Sequence, residues 1–203
     1  MRTRPGRGRQ RGRKGVVAAA LVAVVGLALA GCSGDGDGTD GGAGGGGGSE
    51  GEQAVETDAT LGKVRGDLDD AQAADALAAV TEVVDGWIDG GYAGDYPRST
   101  FDDAFGAFTE DARELALAQP AVMSNAEVGG ELEGAEVTQR SVSVDLLGVR
   151  GKPAGATAHV VLTVELAGGV DRSDQVTGRL LLTPGKDGWR VFGFDVSRGE
   201  EGA

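Results

Sequence analysis

Three hydrophobic patterns follow one another along the chain. The first is an unbroken uncharged run from Val16 to Ala30, VVAAALVAVVGLALA. The second is helical: Leu77, Val80, Val84, Trp87 and Ile88 recur at spacings of three and four, which predicts a helix that Asp70 can cap and Gly90-Gly91 can end. Ala73, Ala74, Ala76, Ala78 and Ala79 favour that helix and permit close packing. A further helical stripe, Phe101, Phe105, Phe108, Ala112 and Leu115, follows the turn around Tyr92 to Pro97, with Ser99 or Thr100 as cap. Thr109 before Glu110 and Asp111 reads as another cap, so this region is one helix or two short ones broken near Phe108. Helix stops before Pro120, and Pro120 to Gly134 is a connector.

After Gly134 the period becomes two. Val142, Val144 and Leu146 alternate with Ser141, Ser143 and Asp145. Ala156, Ala158, Val160, Leu162, Val164 and Leu166 share one strand face, and Thr157, His159, Val161, Thr163 and Glu165 the other. Third and fourth strands are predicted over about 175–183 and 189–196, with glycine-rich turns at Gly151-Lys-Pro153, Gly168-Gly169 and Gly185 to Gly188. Short loops between alternating strands favour an antiparallel meander, and Gly178 and Gly193 inside strands suggest bulges or a strong bend. The expected class is α+β, with N-terminal helices packed on a strongly bent antiparallel sheet of about four long strands. The folded domain is expected over 67–197, with 198–203 as a tail.

The apolar run changes meaning with its flanks. Arg2, Arg4, Arg7, Arg9, Arg11, Arg13 and Lys14 precede it, without an acid. The run is too short for a membrane span of about 20 residues and suits the core of a secretory signal, about 7–15 residues. It ends in Leu29-Ala30-Gly31-Cys32, a tetrad that resembles the lipobox of bacterial lipoproteins. That resemblance implies a signal peptide over 1–31, cleavage between Gly31 and Cys32, and a diacylglycerol on the Cys32 thiol. Two acyl chains give stable attachment, at the extracytoplasmic face of the cell membrane. Cys32 is the only cysteine, so there is no disulfide framework and no cysteine-based metal site.

Charge follows the same division. The chain has 19 basic and 32 acidic residues, and seven of the basic ones lie in the leader. The remaining 12 basic residues against 32 acidic ones give the mature chain a net charge of −20. Such a surface repels nucleic acid and anionic headgroups. From Ser33 to about Thr60 glycine, acids and small polar residues dominate, too little apolar surface to offset ordering entropy. Residues 32–66 are therefore expected to form a tether, with a mean span of roughly 30 Å.

Helices before a bent antiparallel meander form an order similar to the cone-shaped nuclear transport factor 2-like superfamily, and most like its bacterial envelope branch that includes Mce-associated proteins. The carrying residues are the helix end Trp87-Ile88 with Tyr92, the segment Phe105-Gly-Ala-Phe108-Thr109, and Asp187-Gly-Trp189-Arg-Val191. They span roughly the last two-thirds of the chain. In some enzymes of that superfamily an Asp, or a His-Asp pair, in the cone acts as general base. The candidates here are Asp145, Asp195 and the sole histidine, His159. Each either faces solvent from its strand or points into a cavity where desolvation raises a carboxyl pKa. Trp87, Tyr92, Phe105, Phe108, Trp189 and Phe192 either line an apolar pocket or form core. No Gly-x-Ser-x-Gly, Walker-type or paired-histidine pattern occurs, and no cofactor or metal is expected. Two classes of function remain. One is a non-enzymatic, membrane-anchored module that binds an envelope protein or an apolar ligand. The other is a small isomerase- or dehydratase-like enzyme, or a carrier, that uses a pocket in the cone.

Overall fold

Asp69 opens the first helix, one residue before the expected cap. Its carboxylate accepts the Gln72 N–H at 2.8 Å, and Gln72 Oε1 accepts the Asp69 N–H at 3.0 Å. This reciprocal capping box stabilises the helix start by about 1 kcal/mol. Helix α1 then runs Asp70–Gly91, in a computed structural model that describes residues 55–202. The leader, Gly31, Cys32 and the first part of the tether lie outside the described residues. Ala73, Ala76, Val80, Val84, Trp87 and Ile88 form the buried face of α1.

A 3-10 turn over Asp102–Phe105 packs against the end of α1, where Gly90 is required. A Cβ there would lie 2.6 Å from the Ala104 Cα. Thr109 caps α2, Glu110–Leu117, accepting the Ala112 N–H at 3.4 Å. The break at Phe108 has a tertiary cause: Phe108 forms a parallel bridge to Val191, so the backbone there joins the sheet edge. Leu115, expected on the buried stripe, is 58% exposed. The Pro120 connector contains one short helix, α3, Pro120–Met123.

The fold is α+β, and its sheet is mixed and five-stranded, in the order β1-β2-β3-β4-β5. The strands are β1 Asp58–Arg65, β2 Leu132–Gly148, β3 Pro153–Gly168, β4 Arg172–Gly185 and β5 Gly188–Glu200. The last four pair antiparallel in sequence order, whereas β1 runs parallel to β2, Asp58 beside Ser141 and Arg65 beside Leu147. Three expectations are corrected. The sheet has a fifth strand, it is not purely antiparallel, and residues 58–65, assigned to the tether, are part of the ladder. β5 likewise extends into the assigned tail. The cause is the same at both ends: β1 and the end of β5 are mostly exposed and are held by ladder hydrogen bonds, so they carry little apolar alternation.

One face of the sheet is apolar. Val142, Val144, Leu162, Val176, Leu180 and Val191 are at most 1% exposed and pack with the buried face of α1 in a single core. Each such side chain stabilises the fold by roughly 1.5–3 kcal/mol. Gly178, at φ 154°, lies between Val160 and Val196, and a Cβ there would sit 2.6 Å from the Val196 Cα.

Candidate functional site

Four of the six aromatic candidates are buried in the core, although Phe105 and Phe108 also border an open surface cleft of about 550 Å³. Trp87, Tyr92, Phe105 and Phe108 are each at most 2% exposed. Trp87 and Tyr92 meet edge-to-face at 5.5 Å, and Phe105 and Phe108 at 5.3 Å. Both polar handles are satisfied: Trp87 Nε1 donates to the Met123 carbonyl at 3.0 Å, and the Tyr92 hydroxyl donates to the Val122 carbonyl. Burial pushes the Tyr92 pKa far above the usual tyrosine range, because the phenolate would be desolvated. Trp87 and Trp189 border an open cleft of about 380 Å³ between α1 and the β4–β5 turn. Phe192 is on the opposite face of the sheet and is 52% exposed.

Two ionic clusters tie elements together, and the sequence reading anticipated neither. Arg140, on β2, donates to Asp89 at 2.7 Å and Asp85 at 2.9 Å, both on α1, and Asp85 also accepts the Thr57 hydroxyl at 2.5 Å. Asp174, on β4 and 2% exposed, accepts from Arg172 Nε at 2.8 Å and Arg198 Nε at 2.7 Å. Arg198 Nη2 also lies 2.7 Å from Asp174 but makes no well-directed hydrogen bond, so it adds Coulomb attraction. Arg198 Nη1 donates to the Ser124 carbonyl at 3.0 Å, which links β5 to the end of α3. Strand alternation marks no partner for an inward-facing charge, so pairs this far apart in sequence leave no local signal.

The titratable candidates lie on the outer face of the sheet. Val144 and Leu146 face the core, so Asp145 between them faces out. The pairing places Ser143, His159, Arg179 and Asp195 in one row across β2 to β5. Asp145 accepts the Lys63 N–H at 2.7 Å, and His159 Nε2 is 3.5 Å from its other oxygen. The Lys63 N–H holds the Asp145 carboxyl below its usual pKa, with His159 contributing. This is the reverse of a carboxylate desolvated in a cavity. Gly62 leaves room for that carboxylate: a Cβ there would press on Asp145 and lie 3.2 Å from Ser143 Oγ. Asp195, 74% exposed, pairs with Arg179 at 3.1 Å. The structure thus joins Asp145 with His159 and keeps Asp195 with Arg179.

Beside this row an open cleft of about 510 Å³ crosses the outer face, with Leu147, Leu181 and Phe192 as apolar lining and Lys63 and Arg65 at its β1 side. Phe192 is exposed because Leu181 pairs with Gly193 but Leu182 pairs with Val191, so Phe192 is the extra residue of a bulge. A third cleft, about 590 Å³, opens beside Arg140 and is edged by Asp89, Asp95, Glu133 and Glu165. Among the described residues no cluster of His, Cys, Asp and Glu is arranged to hold a metal ion. No helix among them is long and apolar enough to cross a membrane. Comparison with protein-family models, with curated proteins and with solved structures finds no match to this chain.

Proposed function

We propose that this protein is a lipoprotein held at the cell envelope through Cys32, and that its folded domain is a binding or interaction module rather than an enzyme. The observation that carries the domain's part is the packed interior: Trp87, Tyr92, Phe105 and Phe108 are at most 2% exposed and pack on one another and on the core, and the clefts that remain are open to the surface. Five carboxylates support the same reading. Asp174, Asp85 and Asp89 are engaged by arginines that join elements, and Asp145 and Asp195 face outward with partners of their own. On this reading the domain belongs to the cone-shaped nuclear transport factor 2-like type, with its long strands bent around α1 and β1 as an added edge strand.

The leader and the Leu-Ala-Gly-Cys tetrad motivate the anchor. Expression of the full chain and of Cys32→Ser in a bacterial host, followed by detergent phase partitioning, tests it. The wild type enters the detergent phase and the variant stays aqueous. Equal partitioning of the two would refute the anchor. Crosslinking on intact membranes then tests the module: a discrete crosslinked partner supports it, whereas turnover abolished by His159→Ala would establish the enzyme instead.

A further inference from the structure

The mature chain carries 12 basic side chains, and most are already committed. Arg113, Arg140, Arg172, Arg179 and Arg198 are in ion pairs. Arg98 and Arg190 donate to the carbonyls of Gly90 and Phe108. The side chains of the other five, Lys63, Arg65, Arg150, Lys152 and Lys186, make no hydrogen bond or ion pair among the described residues, and all three lysines are in this set.

Those five cations gather at one end of the sheet. Lys63 and Arg65 are near the end of β1, Lys63 in the register shift after Leu61 and Arg65 beside Leu147 in the ladder. Arg150 and Lys152 are in the β2–β3 loop, and the Asp67 carboxylate fastens that loop to the end of β1 by accepting the Gly151 N–H at 2.9 Å. Lys186 is in the β4–β5 turn, which the antiparallel register brings to the same end. Among them stand three apolar side chains that the core does not take: Leu147 (47% exposed), Val149 (50%) and Phe192 (52%). Carboxylates stand at this end as well, and the start of α1 touches the same loop, Gln72 Nε2 donating to the Gly151 carbonyl at 2.8 Å. Asp67 and Asp145 each accept a backbone N–H, and Asp187 stands beside Lys186. Asp69 and Asp70 begin α1 on the core side of the sheet.

Unpaired cations interleaved with exposed apolar side chains match a surface that is anionic outside and apolar just beneath. Nucleic acid offers the charge without the apolar layer. We propose that the outer face of the sheet, at the end where β1, β2 and β4 finish, docks on an anionic phospholipid bilayer, with Leu147, Val149 and Phe192 entering the headgroup region. The chain's net negative charge argued against this from the sequence. However, charge acts locally: screening is severe beyond about 8 Å at physiological salt, so acids at the far end of the sheet and along α2 count for less than the cations at the contact. The chain between Cys32 and Asp58 is long enough, on the order of 80 Å if extended, to let an anchored domain lie on its own membrane. The docking deepens the membrane reading above, but its test needs no anchor.

The test is vesicle co-sedimentation of the unacylated chain from Ser33 onward, with phosphatidylcholine vesicles with and without phosphatidylglycerol. The chain is expected to sediment with the anionic vesicles, weakly with the neutral ones, and less as salt rises. Each basic residue near an anionic surface contributes about fivefold in partitioning, so Arg65→Glu with Lys152→Glu should lower the partition coefficient by at least about 25-fold. Phe192→Ser, which changes no charge, should also weaken binding, and Arg113→Glu on α2 should leave it unchanged. Circular dichroism melts confirm that each variant is folded. If the double variant does not fold, Lys186→Glu in the exposed turn takes its place. Folded wild type that ignores phosphatidylglycerol vesicles, or folded charge-reversed variants that bind as well as wild type, would overturn the docking while leaving the Cys32 anchor untouched.

Discussion

Removing the Asp174 carboxylate isolates the value of the tie between β4, β5 and the end of α3. Asp174 and the Arg198 side chain are 2% and 7% exposed, so the pair is desolvated on both sides. Asp174→Ala leaves a buried guanidinium without its counter-charge, a loss of about 3–5 kcal/mol where nothing else compensates. Arg198 keeps some compensation: the Ser124 carbonyl at 3.0 Å, the Ala121 carbonyl at 3.4 Å, and the Tyr92 ring at 5.7 Å. The lower end, about 3 kcal/mol, is therefore expected, against a total stability of about 5–15 kcal/mol. Urea denaturation followed by circular dichroism measures it, and the melting temperature should fall by about 6–12 °C. Arg172 supplies the internal control. It bonds the same carboxylate at 2.8 Å, but its side chain is 39% exposed, so Arg172→Ala should cost no more than about 1 kcal/mol. A loss under about 1 kcal/mol for Asp174→Ala, with an unchanged denaturant slope, would refute the reasoning. So would equal losses for Asp174→Ala and Arg172→Ala, because burial would then not be what sets the cost.

Three further outcomes follow from the interior and the outer face. Tyr92→Phe leaves the Val122 carbonyl without its donor and should cost about 1–3 kcal/mol in urea midpoint experiments. Because burial raises the folded pKa of Tyr92, its contribution is complete below about pH 10 and is lost as pH rises further; Tyr92→Phe should flatten that alkaline decline, and an unchanged slope would count against burial as its source. Gly178→Ala should cost at least about 1 kcal/mol and shift hydrogen exchange along β4 and β5, since the alanine Cβ has no room against Val196 at a φ of 154°; wild-type stability would show that the two strands can part there without cost. For Asp145, whose folded pKa is lowered, the carboxylate's contribution is present above about pH 4 and fades as pH falls through its folded value; the midpoint gap between wild type and Asp145→Asn should hold steady above that pH and close below it, and a gap independent of pH would contradict the pairing with the Lys63 N–H.

How much was legible in the sequence depended on whether a signal was local. The inward faces of the long strands could be read directly, because Val142, Val144 and Leu146, and Ala156 through Leu166, are apolar at every second position and are buried, while their neighbours are mostly polar and, Thr163 apart, less buried. The same parity turns Asp145 and His159 outward together, although only the pairing of β2 with β3 puts them 3.5 Å apart. Thr109 announced its helix, because a cap needs only the next three residues. Everything that joins distant segments was decided in three dimensions. β1 has no buried side chain, and its place beside β2 rests mainly on backbone hydrogen bonds, with the Asp145 carboxylate on the Lys63 N–H, a contact between residues far apart in sequence. Whether Trp87, Tyr92, Phe105 and Phe108 enclose a cavity or fill one depends on how closely α1 approaches the sheet, which their spacing does not encode. Likewise the total charge could be counted from the chain, but the gathering of Lys63, Arg65, Arg150, Lys152 and Lys186 at one end of the sheet could not. It exists only because a parallel edge strand, a loop and a turn far apart in sequence finish at the same place.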